Sequence, residues 1–187
     1  FISLEDEPTI SIKAWKAPGS KMFIRESTQV KVDDLIKGMI VQSGNDASIA
    51  LAEHVAGTEE NFVFLMNDYA KELGMQNTSF NNASGLPDPI NLTTAFDLAL
   101  LTSSLIKNFP SHYENYSIKS FSYNSIEQKN RNRLLWRDNI FDGVKTGWTE
   151  SAGYCLIGSA IVGDMRLVAV VLGLSLIHIS EPTRRPK

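Results

Sequence analysis

The sequence predicts an α+β domain, with helices in its first half and an antiparallel sheet at its end. Three observations carry this. Apolar residues recur at helical spacing between residues 33 and 107, punctuated by glycines. Two apolar runs, 153–162 and 165–172, are separated only by Gly163-Asp164, a tight hairpin signal. The order of the segments is short strands, then helices, then a meander.

The elements follow in chain order. Residues 9–15 alternate (Ile10, Ile12, Ala14 against Ser11, Lys13) and predict a strand, which Pro18-Gly19 breaks. Residues 22–24 predict another short strand. Asp33 and Asp34 suit the positive end of a helix whose apolar face is Leu35, Ile36, Met39 and Ile40. Ser43-Gly44-Asn45 interrupts it. Asp46 is expected to cap a second helix through Val55 that Gly57 stops. Thr58 is expected to cap a third, ended by Gly74. Gly85-Leu86-Pro87-Asp88-Pro89 is a loop. Thr94 with Asp97 resembles a capping box for a helix to about Lys107, and Pro110 ends that region. Residues 118–123 alternate as a strand, and 140–147 read as a strand running into a turn.

The 187 residues suffice for one domain with a real core. With 18 basic and 21 acidic residues there is no basic stripe, so nucleic acid is not an expected partner. No apolar run reaches the length of a membrane span. Cys155 is the single cysteine, which excludes an internal disulfide. It is read as a small buried hydrophobe on a strand. No set of metal-ligand residues appears, so neither metal nor cofactor is expected. His54, on a helix with apolar neighbours, is read as structural, and His112 as loop surface.

Two tripeptides carry chemistry. Ser43-Gly44-Asn45 sits where two helices meet, so a serine and an asparagine can project into a cleft while the glycine permits a sharp turn. Lys145-Thr146-Gly147 ends a strand. Its ammonium is a point charge and its hydroxyl a donor, a pair suited to an anion, and the glycine lets a substrate backbone approach the strand edge. Either motif alone is more often a turn or strand end than a site. Together, one in a helical region and one on a strand, they suit two walls of one cleft.

Longer strings sharpen this: Ile40-Val41-Gln42-Ser43-Gly44-Asn45-Asp46-Ala47, Asn130-Arg131-Asn132-Arg133-Leu134-Leu135-Trp136, Asp142-Gly143-Val144-Lys145-Thr146-Gly147-Trp148-Thr149 and Gly163-Asp164-Met165-Arg166-Leu167. Over residues 1–173 the chain resembles the low-molecular-mass penicillin-binding proteins, serine-type D-alanyl-D-alanine carboxypeptidases of peptidase family S11. The resemblance implies a β-lactamase/transpeptidase-like fold and a serine that attacks the bond between two terminal D-alanines of a peptidoglycan stem peptide. An acyl-enzyme follows, which β-lactams trap. It implies catalytic roles for Ser43, Asn45 and Lys145: Ser43 passes a proton toward the leaving amine and Asn45 holds the substrate amide. Lys145, Thr146, Gly147 and Trp148 become substrate-binding, with the carboxylate on Lys145 and Thr146. An oxyanion is expected on the Trp148 N–H and an extended peptide along the strand. Arg131 and Arg133 are read as either anion contacts or turn scaffold. The resemblance further implies a bacterial periplasmic enzyme, associated with the inner membrane only through a C-terminal anchor that these residues lack.

The chain also departs from the family pattern. No Ser-x-x-Lys precedes Ser43, and the one formal match, Ser104-Leu105-Ile106-Lys107, falls after it, against the family order. The expectation is therefore an incomplete fold without its first strands, nucleophile helix and C-terminal helix, catalytically inactive as it stands. The last core strand should then show an unpaired apolar edge. Ser84 stands where many relatives carry histidine. Residues 174–187 (Leu174-Ser175-Leu176-Ile177-His178 onward) resemble a translated sequencing adapter and are read as a non-native tail after a catalytic domain over 1–173. The rivals are a β-lactamase, which needs a carboxylate in the 85–89 loop, a peptidoglycan endopeptidase, and a non-catalytic peptidoglycan-binding relative.

Overall fold

The computed structural model describes residues 2–175. Its helices are α1 (Ile12–Lys16), α2 (Val32–Lys37), α3 (Asn45–Ala56), α4 (Glu59–Glu72), α5 (Ala95–Asn108), α6 (Pro110–Tyr113) and α7 (Leu134–Arg137). Its strands are β1 (Ser120–Tyr123), β2 (Ile126–Lys129), β3 (Phe141–Thr149), β4 (Gly153–Val162) and β5 (Met165–Leu174). β1 and β2 form a hairpin, and β3-β4-β5 an antiparallel sheet in that order. The α+β expectation holds, with helix α5 packed on β5 and the sheet carried at the end of the chain.

Several local rules act as the sequence predicts. Thr58 and Thr94 accept hydrogen bonds from Asn61 N–H and Asp97 N–H and start α4 and α5. Gly57 (φ 80°) follows the end of α3, and Gly74 (φ 78°) lies just past α4, in the left-handed region that stops helices. The Gly163-Asp164 turn sets Val162 opposite Met165.

Other expectations fail for identifiable reasons. Residues 9–15 are not a strand: only Thr9 bridges, to Gln29, because the Ser11 hydroxyl accepts from Ala14 N–H and opens α1 instead. Residues 22–24 do not join a sheet, since their N–H groups point at a carboxylate. That carboxylate is Asp46, which does not cap α3; Gly44 occupies the cap position. Asp97 turns its oxygen to Asn77 N–H and Thr78 Oγ1 instead of closing a capping box. The strand expected over 118–123 begins at Ser120, and its partner β2 was not foreseen. Cys155 is half-buried, not a core hydrophobe. β5 runs to Leu174, opposite Tyr154, so it extends into the segment set aside as a tail; residues 176–187, with His178, lie outside the described residues.

The main core lies between the N-terminal segment, α2 and α3, around Ile10, Met22, Ile24, Leu35 and Ala47. Gly38 packs so tightly there that a Cβ would lie 2.3 Å from Met22 Sδ. Among the described residues β5 pairs only with β4, and Met165, Leu167 and Val171 are exposed along it.

Candidate active site

The first wall is a strained turn. After α2 the chain loosens into a π-helical turn, Gly38–Gln42, a geometry often found at functional sites. It ends at Ser43, whose φ of 60° and ψ of 41° place a non-glycine residue in the left-handed region. Gly44 follows because nothing larger fits: a Cβ would meet Asp46 Oδ1 at 2.9 Å and Met22 N at 3.0 Å. Asn45 is buried. Its N–H donates to Ser20 O (2.8 Å) and its Nδ2 to Pro18 O (2.7 Å). Gly19 (φ 81°) makes way for it, since a Cβ there would sit 2.8 Å from Asn45 Nδ2.

Asp46 fastens this turn to the segment behind it. Its carboxylate is fully buried and accepts from the N–H groups of Met22 (2.9 Å), Phe23 (3.0 Å), Ile24 (3.3 Å) and Ala47 (2.9 Å). A charged acceptor on several backbone donors is worth more than neutral bonds. Gln128 on β2 adds a buried bond from Nε2 to Met22 O (3.0 Å).

The second wall is β3. It pairs with β4 on one side only among the described residues, leaving its other edge open to an extended chain. Lys145 crosses the gap: its Nζ donates to Ser43 Oγ (2.9 Å) and to Thr146 O (3.0 Å). Burial pulls the Lys145 ammonium down from 10.5 to about 8, and the Arg131 charge adds to the shift. Lys145 can therefore hold or release a proton near neutral pH beside a hydroxyl that can relay it. Beyond it Thr146 is half-buried, Gly147 exposed, and Trp148 61 % exposed with its ring 6.1 Å from that of Tyr154.

Ser43 and Lys145 are thus brought into contact, Asn45 stands at the back of the same turn, and Thr146, Gly147 and Trp148 continue along the open strand. Lys129, Asn130, Arg131, Arg133 and Trp136 line a neighbouring cavity of about 570 Å³. Leu86 of the 85–89 loop would lie 3.8 Å from a Cβ on Gly19, so that loop borders the Asn45 end. Asp88 is turned into its own loop, accepting from Asn81 Nδ2 (2.9 Å) and Ile90 N–H (2.8 Å). Ser104 lies on α5, where Asn108 Nδ2 donates to its hydroxyl at 3.0 Å and the Tyr69 hydroxyl stands 3.4 Å away. His54 faces Asp6 (3.3 Å). Sequence reasoning missed Asp46 and Gln128 as clamps. Three consecutive donors meeting one carboxylate some twenty residues away in sequence leave no local pattern.

A serine turn at a helix junction thus faces a lysine on the open edge of an antiparallel sheet. The profile of the peptidase S11 family, D-alanyl-D-alanine carboxypeptidase, matches residues 1–175, and the chain belongs to that family. It is 50% identical over 179 residues to the D-alanyl-D-alanine carboxypeptidase DacC of Escherichia coli, covering 92% of this chain and 45% of that protein. Among solved structures, penicillin binding protein 5 from Haemophilus influenzae superposes with a TM-score of 0.89 at 46% identity, over 92% of this chain and 52% of the other. The D-alanyl-D-alanine carboxypeptidase DacD from Francisella tularensis gives a TM-score of 0.90 at 37% identity, over 92% and 54%. The chain therefore has the penicillin-binding-protein fold and spans about half the length of these relatives.

Proposed function

We propose that the protein from which these residues come is a serine D-Ala-D-Ala carboxypeptidase. It removes the terminal D-alanine of peptidoglycan stem peptides in the bacterial periplasm and is acylated by β-lactams. The observation that carries this reading is the Lys145–Ser43 hydrogen bond of 2.9 Å, made by a lysine held near 8. In it Ser43 relays a proton to the departing D-alanine amine, and Asn45 contacts the substrate amide once its side chain turns from Pro18 O. Lys145 and Thr146 take the terminal carboxylate. The peptide adds as a strand along β3, over Gly147 and under Trp148, with the Trp148 N–H at the oxyanion. Arg131 and Arg133 lie where an anionic stem peptide continues.

The attacking serine and its lysine are not among these residues: Ser104 is occupied on α5, and no other Ser-x-x-Lys is present. On this reading these residues alone are inactive, and β5 belongs to the catalytic domain through Leu174, within the span the family profile matches. A β-lactamase is disfavoured because Asp88 spends its oxygens within its own loop. The endopeptidase reading draws on a D-alanyl-D-alanine endopeptidase of E. coli, 32% identical over 155 residues. Recovering the preceding coding sequence and measuring D-alanine release tests the choice. The proposal expects Ser-x-x-Lys about sixty residues before Ser43 and release from a pentapeptide. Cleavage only of cross-linked dimers favours the endopeptidase, and absence of the motif sinks the enzyme.

A further inference from the structure

β3 is not a regular strand. Phe141 stands opposite Ala160 but Gly143 opposite Ser159, so Asp142 is an extra, bulged residue. From there the residues pair one to one, with Lys145 opposite Ile157. A strand has a side-chain period of two, so a bulge decides which face every later residue occupies. Were the bulge smoothed out with Phe141 held opposite Ala160, Asp142 would pair with Ser159 and Lys145 with Leu156. Lys145 would then turn away from Ser43, and Val144 would take its place opposite Ile157.

The bulge is pinned from three elements. Arg166, on β5, sets its Nη1 2.7 Å from Asp142 Oδ2 and also donates to Ser159 Oγ on β4 (2.8 Å). Ser159 Oγ in turn donates to Asp142 Oδ1 (2.8 Å) and is 1% exposed. The Arg166 guanidinium lies 5.5 Å from the Tyr113 ring centre, and Tyr113 stacks on Tyr116 at 5.4 Å. The Tyr113 hydroxyl fits against Gly143 so closely that a Cβ there would lie 2.3 Å from it. Both oxygens of one carboxylate are thus held, and the next residue has a tyrosine against its Cα.

We propose that Asp142, Arg166 and Ser159, backed by Tyr113, form a register lock that selects Lys145 rather than Val144 to face Ser43. Arg166 and Asp142 are positioning residues: neither reaches the cleft, and both act through β3. The functional meaning rests on the reading of Lys145 given above. The test reads register rather than activity, so the two stand or fall separately.

The experiment is NMR on this chain, recording cross-strand contacts between β3 and β4 and the titration of the Lys145 ε-methylene. The unaltered chain is expected to show one set of contacts, Lys145 with Ile157, and a midpoint near 8. In Arg166→Ala a second set, Lys145 with Leu156, should appear, and the midpoint should rise by about one pH unit or more toward the free-lysine value. Arg166→Lys should fall between. A merely structural Arg166 would lower the melting temperature without moving either readout, and that result in folded protein overturns the proposal. If Arg166→Ala does not fold, Asp142→Asn and Ser159→Ala decide by the same readouts: a shift in either supports the lock, and no shift in both refutes it.

Discussion

Replacing Asp46 by alanine isolates what holds the Ser43–Asn45 turn in place. Its carboxylate accepts four backbone N–H groups, three of them from the consecutive residues Met22, Phe23 and Ile24. Met22 and Ile24 are buried, at 0% and 2% exposure, so their donors would lose their partner with little water to replace it. Phe23 is 49% exposed and can turn to solvent. A buried donor left unsatisfied costs about 1–3 kcal/mol. Two of them, with the weaker losses at Phe23 and Ala47, give an expected destabilisation of about 4 kcal/mol. Asp46→Asn keeps one oxygen and should lose about half as much. Urea unfolding followed by tryptophan fluorescence measures both, and the Lys145–Ser43 contact should weaken in parallel. A loss below about 1 kcal/mol for Asp46→Ala would refute the reasoning, because the 22–24 segment would then be held by something else.

Two further outcomes follow from the site. The folded chain releases the Lys145 proton near 8 whereas a free lysine keeps it to 10.5, so between these values the unfolded state binds more protons. Stability should therefore rise with pH across that window, by at most about 3.5 kcal/mol relative to Lys145→Met, with the full penalty present below 8. Denaturant midpoints for both chains at several pH values check it, and parallel profiles would contradict it. Gly19→Ala places a side chain at φ 81° and 2.8 Å from Asn45 Nδ2, and should cost about 1–2 kcal/mol by thermal melting while displacing Asn45.

The helices and the final hairpin were legible because their signals are local. Thr58, Thr94, Gly57, Gly74 and the Gly163-Asp164 turn act within a few residues of themselves. The site residues were legible as motifs and through the long strings around them, not through spacing alone. What escaped depends on partners far away in the chain. Ser11 converts an alternating stretch into a helix by a single hydroxyl bond, and Asp46 spends its charge on residues 22–24 instead of on its own helix. Gln128, on an exposed-looking hairpin strand, reaches Met22 O across 106 positions. The bulge at Asp142 depends on Arg166 from another strand, and alternation of apolar residues cannot show it.

Ser43 and Asn45 on one wall and Lys145 and Thr146 on the other are proposed to line an active-serine cleft whose nucleophile is not among these residues. Fluorescent penicillin, with peptide mapping of any adduct, tests it most directly on this chain and on the protein extended by its preceding coding sequence. No adduct is expected on the chain, and an adduct is expected on the serine of a Ser-x-x-Lys motif in the extended protein, slowed by Lys145→Ala. Covalent labelling of the chain at Ser104 or Ser43, or an extended protein that carries the motif and takes no label, would contradict it.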